Sequence, residues 1–163
     1  MACPTQTEFV ICDYTIEEYH QCLKTGCAIE KRQLDHADDI RRLLGFCGPI
    51  AVRLLQIRQL TRLAPDAPAV AYIDPLTVQI LTERLPRPPA LPLTMQAFWV
   101  GVAQLGGYQN RKGDGPPGWK TIWRGWQYLN DLVHGAQLCQ AMMLRQQLVD
   151  AMLSDVVAVP GPT

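Results

Sequence analysis

Apolar residues recur at helical spacing along most of the chain, and no segment alternates with the period of two that marks a β-strand. The spacing predicts helices over residues 15–24, 36–62, 75–84 and 95–105, and from residues 117–119 onward. Gly135 is expected to break the last helix before a final segment over residues 137–153. We therefore expect a mainly α fold.

Polar, glycine and proline residues mark where several of these helices begin and end. Asp74 before Pro75 is the N-cap and first-turn pattern of the third helix, and Thr94 is placed to cap the fourth. Gly26 is expected to end the first helix as a glycine cap. Pro49 lies inside the second helix and removes a backbone donor there, so we expect a kink or a break just before it.

The second predicted helix carries the widest apolar stripe of the chain. Its members are Ile40, Leu43, Leu44, Cys47, Ile50, Ala51, Leu54 and Leu55. We expect this helix to be the main helix of the core. Arg58 follows at the angular position of the stripe, which predicts that the end of the helix leaves the core.

The composition is that of a globular protein, with 48% hydrophobic and 18% charged residues. No apolar run reaches the length of a membrane span and no secretory signal is visible, so we expect a soluble cytoplasmic protein with no membrane partner. The six cysteines lack the C-x2-C spacing of zinc sites. We expect them to behave as small apolar residues of the core.

The charges balance overall but are unevenly distributed. Fifteen Lys and Arg match fifteen Asp and Glu, so the whole chain exerts no net attraction on nucleic acid. Residues 40–64, however, contain no acid and five arginines, which are Arg41, Arg42, Arg53, Arg58 and Arg62. This segment is either a basic strip that binds DNA or the solvated face of an ordinary helix.

The first predicted helix places candidate chemistry beside an apolar stripe. The stripe consists of Ile16, Tyr19 and Leu23. Glu17 and Lys24 are seven residues apart, which is two helical turns, and His20 lies between them on the same side. Such a face suits a metal-binding carboxylate beside a lysine that contacts a phosphate. It is equally the face of an ordinary surface helix.

The segment 16–26 resembles the third-carboxylate region of bacterial DDE transposases of the insertion-sequence-four family, of the transposon-five type. That family carries the signature Tyr-x2-Arg-x3-Glu-x6-Lys, and Glu17 and Lys24 match its last two members. Val10 and Asp13 stand where the family has Tyr and Arg. Further similar segments are residues 30–33, 51–56, 103–108 and 119–126.

The resemblance implies the C-terminal helical piece of an RNase H-like catalytic core followed by an all-α dimerisation domain. The divisions it suggests are a non-native or disordered start (1–14), core (15–64), Pro-rich linker with one helix (65–93), dimerisation domain (94–155) and tail (156–163). The chain would be a truncated transposase fragment without the two catalytic aspartates. We therefore expect no enzyme activity from this chain alone, although the parent family is Mg²⁺-dependent.

The resemblance also suggests roles for individual residues and for partners. Glu17 would be a remnant of the third catalytic carboxylate, a metal ligand only if the missing aspartates were supplied, so no cofactor is expected for this chain alone. Candidate contacts to transposon-end DNA are Lys24, His20, Lys31, Arg32, Arg53, Arg111 and Lys112. The protein would then be associated with the bacterial nucleoid.

A cluster of aromatic residues near the C-terminus is expected either to pack in the core or to form an interface. The candidate interface residues are Trp123, Trp126, Leu129 and Val133. The family dimerises through this region, which favours a homodimer or a heterodimer with full-length transposase. Three functions stay open: an inert remnant, a dimerising inhibitor of full-length transposase, and a helical DNA-binding adaptor built on the arginine-rich segment.

Overall fold

The computed structural model of the chain describes residues 15–85 and 90–157, with side chains described up to residue 151. Its α-helices are α1 over 15–21, α2 over Ala37–Leu63, α3 over Pro75–Arg84, α4 over Met95–Leu105 and α5 over Trp119–Val157. Within this part of the chain the only β-pairing is one bridge between Pro68 and Thr94, so the mainly α prediction is confirmed. The predicted start (1–14) and residues 158–163 of the predicted tail lie outside the described residues.

The first helix ends differently from the prediction. Its α-helical part stops at residue 21 and continues as a π-helical turn over Cys22–Gly26, followed by a 3₁₀ turn over Ile29–Lys31. Gly26 is not a left-handed cap, because the left-handed residue of this connection is Ala28, with φ 51°. Gly26 instead packs against α5, where an added Cβ would lie 3.4 Å from the Cβ of Trp123.

Helix α2 corrects two predictions. It continues through Pro49, so the predicted break does not occur, and a kink there stays a prediction. Its C-terminal half is the half that enters the core, since Leu54 and Ile57 are fully buried and Arg58 is partly buried, whereas Phe46 in the N-terminal half is 79% exposed. The apolar stripe extends along the whole helix, but most of the residues before Cys47 are exposed.

The helix-capping predictions for α3 and α4 are confirmed. The Asp74 carboxylate accepts a hydrogen bond from the backbone N–H of Thr77 at 3.1 Å. The Thr94 hydroxyl accepts one from the backbone N–H of Ala97 at 3.2 Å. Local polar residues therefore fix where both helices begin.

Helices α4 and α5 cross at close range through glycines. Gly106 and Gly125 are buried at the crossing, and an added Cβ at Gly125 would overlap the carbonyl oxygen of Val102. Helix α5 then continues for 39 residues, so the predicted break at Gly135 does not occur. From residue 137 to residue 151 every side chain of α5 is exposed. The distal part of α5 therefore projects from the body of the molecule.

Three cysteines lie together in the core, as expected of small apolar residues. Cys22, Cys27 and Cys47 are all buried. Burial raises the pKa of the Cys22 thiol to about 12, against a smaller opposing effect of the Arg58 charge. Burial also raises the pKa of Cys27, with a further contribution from the neighbouring Cys47 thiol. In the folded protein these two thiols are therefore protonated at neutral pH.

This arrangement predicts a loss of stability at alkaline pH. A thiol whose pKa is higher in the folded than in the unfolded state stabilises the protein fully below about pH 9, and this stabilisation is lost as pH rises toward the folded pKa. For Cys22 the free energy of unfolding should fall by about 1.4 kcal/mol per pH unit above about pH 9. Urea titrations of the parent protein and Cys22→Ala at several pH values measure the difference.

Cys139→Ala is the matched control, because it removes an exposed cysteine instead of a buried one. The alkaline slope should be shallower in Cys22→Ala than in the parent protein. Equal slopes in these two proteins would show that the Cys22 thiol does not contribute.

Candidate functional site

The predicted catalytic face of α1 is a surface in the structure. Glu17, His20 and Lys24 are all exposed. Lys24 forms an ion pair with Glu30 at 2.9 Å, and the His20 ring lies against Tyr19, with 5.7 Å between ring centroids. Over the described residues, no three His, Cys, Asp or Glu side chains are grouped so that they could hold a metal ion. Mg²⁺ binds several oxygen ligands, so these residues do not fit a magnesium site.

The neighbouring carboxylate, Glu18, is the buried one. It is 8% exposed, and its Oε1 atom lies 3.2 Å from the Arg58 guanidinium and 2.9 Å from that of Arg62. The Arg58 guanidinium also lies 4.7 Å from the centroid of the Trp119 ring, a cation–π distance. Glu18 therefore joins α1 to α2, and Arg58 joins both to the start of α5.

The sequence pattern does not single out Glu18, because Glu17 and Glu18 are adjacent and chemically identical. Which of the two is buried depends on how α1 is rotated about its axis against α2. The spacing of Arg58 and Arg62, one helical turn apart, is the only signal that these two cations share a partner.

The arginines of residues 40–64 do not form a continuous basic strip. Arg41 and Arg42 form ion pairs with Asp38 and Asp39, at 2.8 Å and 3.5 Å respectively. Arg53 donates a hydrogen bond to the backbone carbonyl of Tyr72 at 2.9 Å.

Four of the five arginines have acidic partners from outside the segment, and DNA binding by this segment stays a prediction. The two aspartates precede it, and Glu18, the partner of Arg58 and Arg62, belongs to α1.

The structure brings together only some of the predicted DNA-binding residues. Lys24, Lys31 and Arg32 line one groove, which α5 completes from the other side. Arg53 lines a different cavity, and Arg111 and Lys112 lie in the exposed loop between α4 and α5. DNA contacts by all of these residues, and by His20, stay predictions.

The predicted interface residues of α5 pack mainly inside this chain. Trp123, Leu129 and Val133 are buried, and Trp126 is half-buried. They are already covered by the other helices of the same chain. A role for these residues between two chains stays a prediction, and Trp126 offers the most surface for it.

An exposed apolar surface lies further along α5. Leu138, Met142 and Leu148 are each at least 63% exposed. The apolar surface on one side of this segment, called the distal α5 face below, comprises Leu138, Ala141, Met142, Leu144, Leu148 and Val149. These residues recur at i, i+3, i+4, i+6, i+10 and i+11, so they share one side of the helix. Isolated exposed leucines are common, but a continuous row of this length is typical of an interaction surface.

Comparison with known protein families gives a match over more than half of the chain. The model of the transposase Tn5 dimerisation domain matches residues 49–144. The matched region begins in the core-facing half of α2, includes α3 and α4, and ends within the distal part of α5. Among the helices of the described residues, none has both the length and the apolar character needed to cross a membrane.

Proposed function

The chain belongs to the transposase Tn5 dimerisation domain family, and from this we propose that it serves DNA transposition as a self-associating module. The single observation that carries the proposal beyond family membership is the exposure of the distal α5 face. We also propose that the chain belongs to the insertion-sequence-four group and that it corresponds to a fragment of a longer enzyme.

A projecting helix of this kind needs a partner. Residues 137–151 would extend about 22 Å at 1.5 Å per residue, beyond the body of the chain. Isolated helices of this length are marginal in water, so the segment gains stability when its apolar side is covered. A second copy can cover it, because two identical faces meet about a two-fold axis and bury the same residues on both sides.

Two glutamate substitutions test whether the distal α5 face forms the dimer interface. We expect Leu138→Glu with Leu148→Glu to weaken the dimer at least about 100-fold, because two charges would be buried where two leucine contacts are lost. Sedimentation equilibrium over a range of protein concentrations measures the dissociation constant. Both leucines are exposed in the single chain, so the monomer should keep its helical content.

The matched control is Cys139→Glu with Gln147→Glu, which adds the same charge on the opposite side of α5. It should leave the dimer within a few-fold of the parent protein. A parent protein that stays monomeric at high concentration contradicts the self-association proposal. Equal weakening by both pairs contradicts the assignment of this face.

We assign no DNA cleavage to this chain by itself. The matched family is a dimerisation domain, and Glu17 is a single exposed carboxylate with no metal-binding group among the described residues. Mg²⁺-dependent nicking of duplex DNA by the purified protein would overturn this part of the proposal.

A second candidate function follows from the same surface. The distal α5 face would also meet its counterpart on any longer transposase that carries this domain, and such a heterodimer would inhibit the enzyme. Co-purification with a longer transposase of this family tests it, and Leu138→Glu with Leu148→Glu should abolish that co-purification. Alanine at Trp123 is not a suitable test, because this side chain is buried in the chain's own core.

A further inference from the structure

An apolar groove between α1 and α2 lies open to solvent in the described part of the chain. It has a volume of about 540 Å³. Ile16 and Tyr19 of α1 form one wall, and Val52 and Leu55 of α2 form the other. Ile16 is 54% exposed and Val52 is 45% exposed, so both walls present apolar surface to water. We call this site the α1–α2 groove.

The charges around this groove do not suit an ionic ligand. Among the described residues that line it, none is a lysine or an arginine, and the one charged side chain is Glu18. Glu18 is already paired with Arg58 and Arg62, at 3.2 Å and 2.9 Å. An anion would find no cation in the groove, and a cation would have to compete with two arginines for one carboxylate. The groove therefore fits an apolar occupant.

Two glutamines in the groove suit a segment of polypeptide. Gln56 and Gln59 of α2 line the groove, and both are exposed. Each side-chain amide offers two donors and an acceptor for hydrogen bonds. The backbone of a bound segment needs such partners for its N–H and C=O groups once water is displaced. Apolar walls together with two amides therefore favour an apolar peptide segment over a purely hydrocarbon ligand.

The chain itself supplies such a segment next to the groove. Residues 9–12 read Phe-Val-Ile-Cys and are apolar throughout, and they precede Thr15, which lines the groove, by three to six residues. Because a chain spans at most about 3.3–3.6 Å per residue, this distance in sequence reaches about 10–20 Å. The groove follows α2 from Val52 to Gln59, which is about 10 Å of helix. The segment can therefore reach every part of the groove.

We propose that the α1–α2 groove binds residues 9–12 of the same chain, called the N-terminal run below. A short tether gives the run an effective concentration in the millimolar range at the groove, which favours it over a separate chain. Another apolar run, residues 156–159, follows the projecting part of α5 and is not tethered beside the groove. Binding of the N-terminal run would remove the apolar walls from water and hold α1 against α2. The inference concerns one chain by itself and does not depend on the proposed function.

A photoreactive residue within the N-terminal run tests the proposal in the full chain. Phe9→p-benzoylphenylalanine keeps an aromatic ring and forms a covalent bond to neighbouring C–H groups on irradiation. Gel electrophoresis separates attachment within one chain from attachment between two chains, and peptide mass spectrometry identifies the residues joined. We expect attachment within one chain, to the groove walls on α1 and α2.

Two glutamates in the groove should prevent this attachment. We expect Ile16→Glu with Val52→Glu to lower its yield at least about 10-fold, because the bound run would bury two charges. The matched control is Ile40→Glu with Val70→Glu, which adds the same charge at side chains that are 44% and 52% exposed and do not line the groove. It should leave the yield within about two-fold of the parent protein. All four side chains are exposed, so both pairs should keep the parent circular dichroism spectrum.

The outcomes distinguish this inference from the proposed function. Attachment that joins two chains would show that a second copy covers the groove and would overturn the assignment to the same chain. Attachment that is absent, that is spread over unrelated surfaces, or that both glutamate pairs reduce equally would show that the run does not bind the groove. Sedimentation of the Ile16→Glu and Val52→Glu pair should give a dimer of unchanged affinity, because neither residue lies on the distal α5 face. A monomeric parent protein with attachment at the groove would support this inference and contradict the dimerisation proposal.

Discussion

Replacing Gly125 by alanine is expected to lower the free energy of unfolding by more than about 3 kcal/mol and to disrupt the crossing of α4 and α5. An added Cβ at this position would overlap the carbonyl oxygen of Val102 and lie 2.9 Å from the backbone nitrogen of Gly106. Both neighbours are backbone atoms of another helix, so no side-chain rotation can make room. The two helices would have to separate, which would open the core around Val102.

Gly135→Ala is the matched control, because it makes the same substitution in the same helix. An added Cβ at Gly135 meets nothing within 4 Å. Alanine is a better helix former than glycine, so this variant should be more stable by about 0.5–1 kcal/mol. Urea denaturation followed by circular dichroism, at one fixed protein concentration so that dimerisation is constant, measures both variants. A Gly125→Ala variant as stable as the parent protein would show that the two helices are not in backbone contact.

These two glycines also show what the sequence predicts about helix α5 and what it does not. Glycine lowers helix propensity by about 1 kcal/mol, which made Gly135 the expected break. That cost is too small to end a long helix, and α5 continues past it. Nothing in the local sequence shows that Gly125 instead touches another backbone, because that contact depends on the path of α4. The predicted end of the fourth helix at residue 105 is confirmed, and Gly107 just beyond it has φ 100°.

Features controlled by a few neighbouring residues were predicted best. The caps Asp74 and Thr94 act within three residues of themselves, and both are where the sequence places them. The core half of α2 was predicted wrongly, because its apolar stripe continues into the exposed residues Ile40 and Leu44. The lengths and positions of the other helices determine which part of α2 they cover.

The same difference between local and long-range determinants applies to the candidate site. Lys24, Lys31 and Arg32 are close in sequence, and they line one groove as expected of near neighbours. Lys120 and Arg124 join them from a part of the chain nearly 90 residues away, so only the tertiary structure identifies them. The tryptophans of α5 were expected either to pack in the core or to form an interface, and Trp119 and Trp123 are buried in the chain's own core. An exposed apolar surface lies after them, on a segment whose exposure depends on the size of the body of the chain.

The second large effect is expected from Glu18→Gln, which should lower the free energy of unfolding by about 2–3 kcal/mol. Glutamine keeps the shape of Glu18 but removes the charge that faces Arg58 and Arg62, at 3.2 Å and 2.9 Å. Removing one partner of a fully buried ion pair costs roughly 3–5 kcal/mol. The expected value is lower here because the Arg62 side chain is 39% exposed and water stabilises part of its charge.

Glu17→Gln provides the control that separates a structural carboxylate from a surface one. Glu17 is the adjacent residue of the same helix and is exposed, so its substitution should change stability by no more than about 0.5 kcal/mol. Urea denaturation of the two variants at the same protein concentration gives the comparison. The opposite order, with Glu17→Gln the more damaging, would mean that α1 is rotated about its axis and presents Glu17 to the arginines of α2.

A second substitution in the same cluster tests whether the loss comes from the uncompensated Arg58 charge. Arg58→Met keeps much of the arginine stem, which packs beside the Trp119 ring, and removes the cation. If the penalty of Glu18→Gln is the cost of leaving Arg58 unpaired in a partly buried site, Arg58→Met should recover about 1 kcal/mol of it in the double variant. Additive losses in the double variant would show that Glu18 and Arg58 stabilise the fold independently, and that α1 is held to α2 mainly by packing.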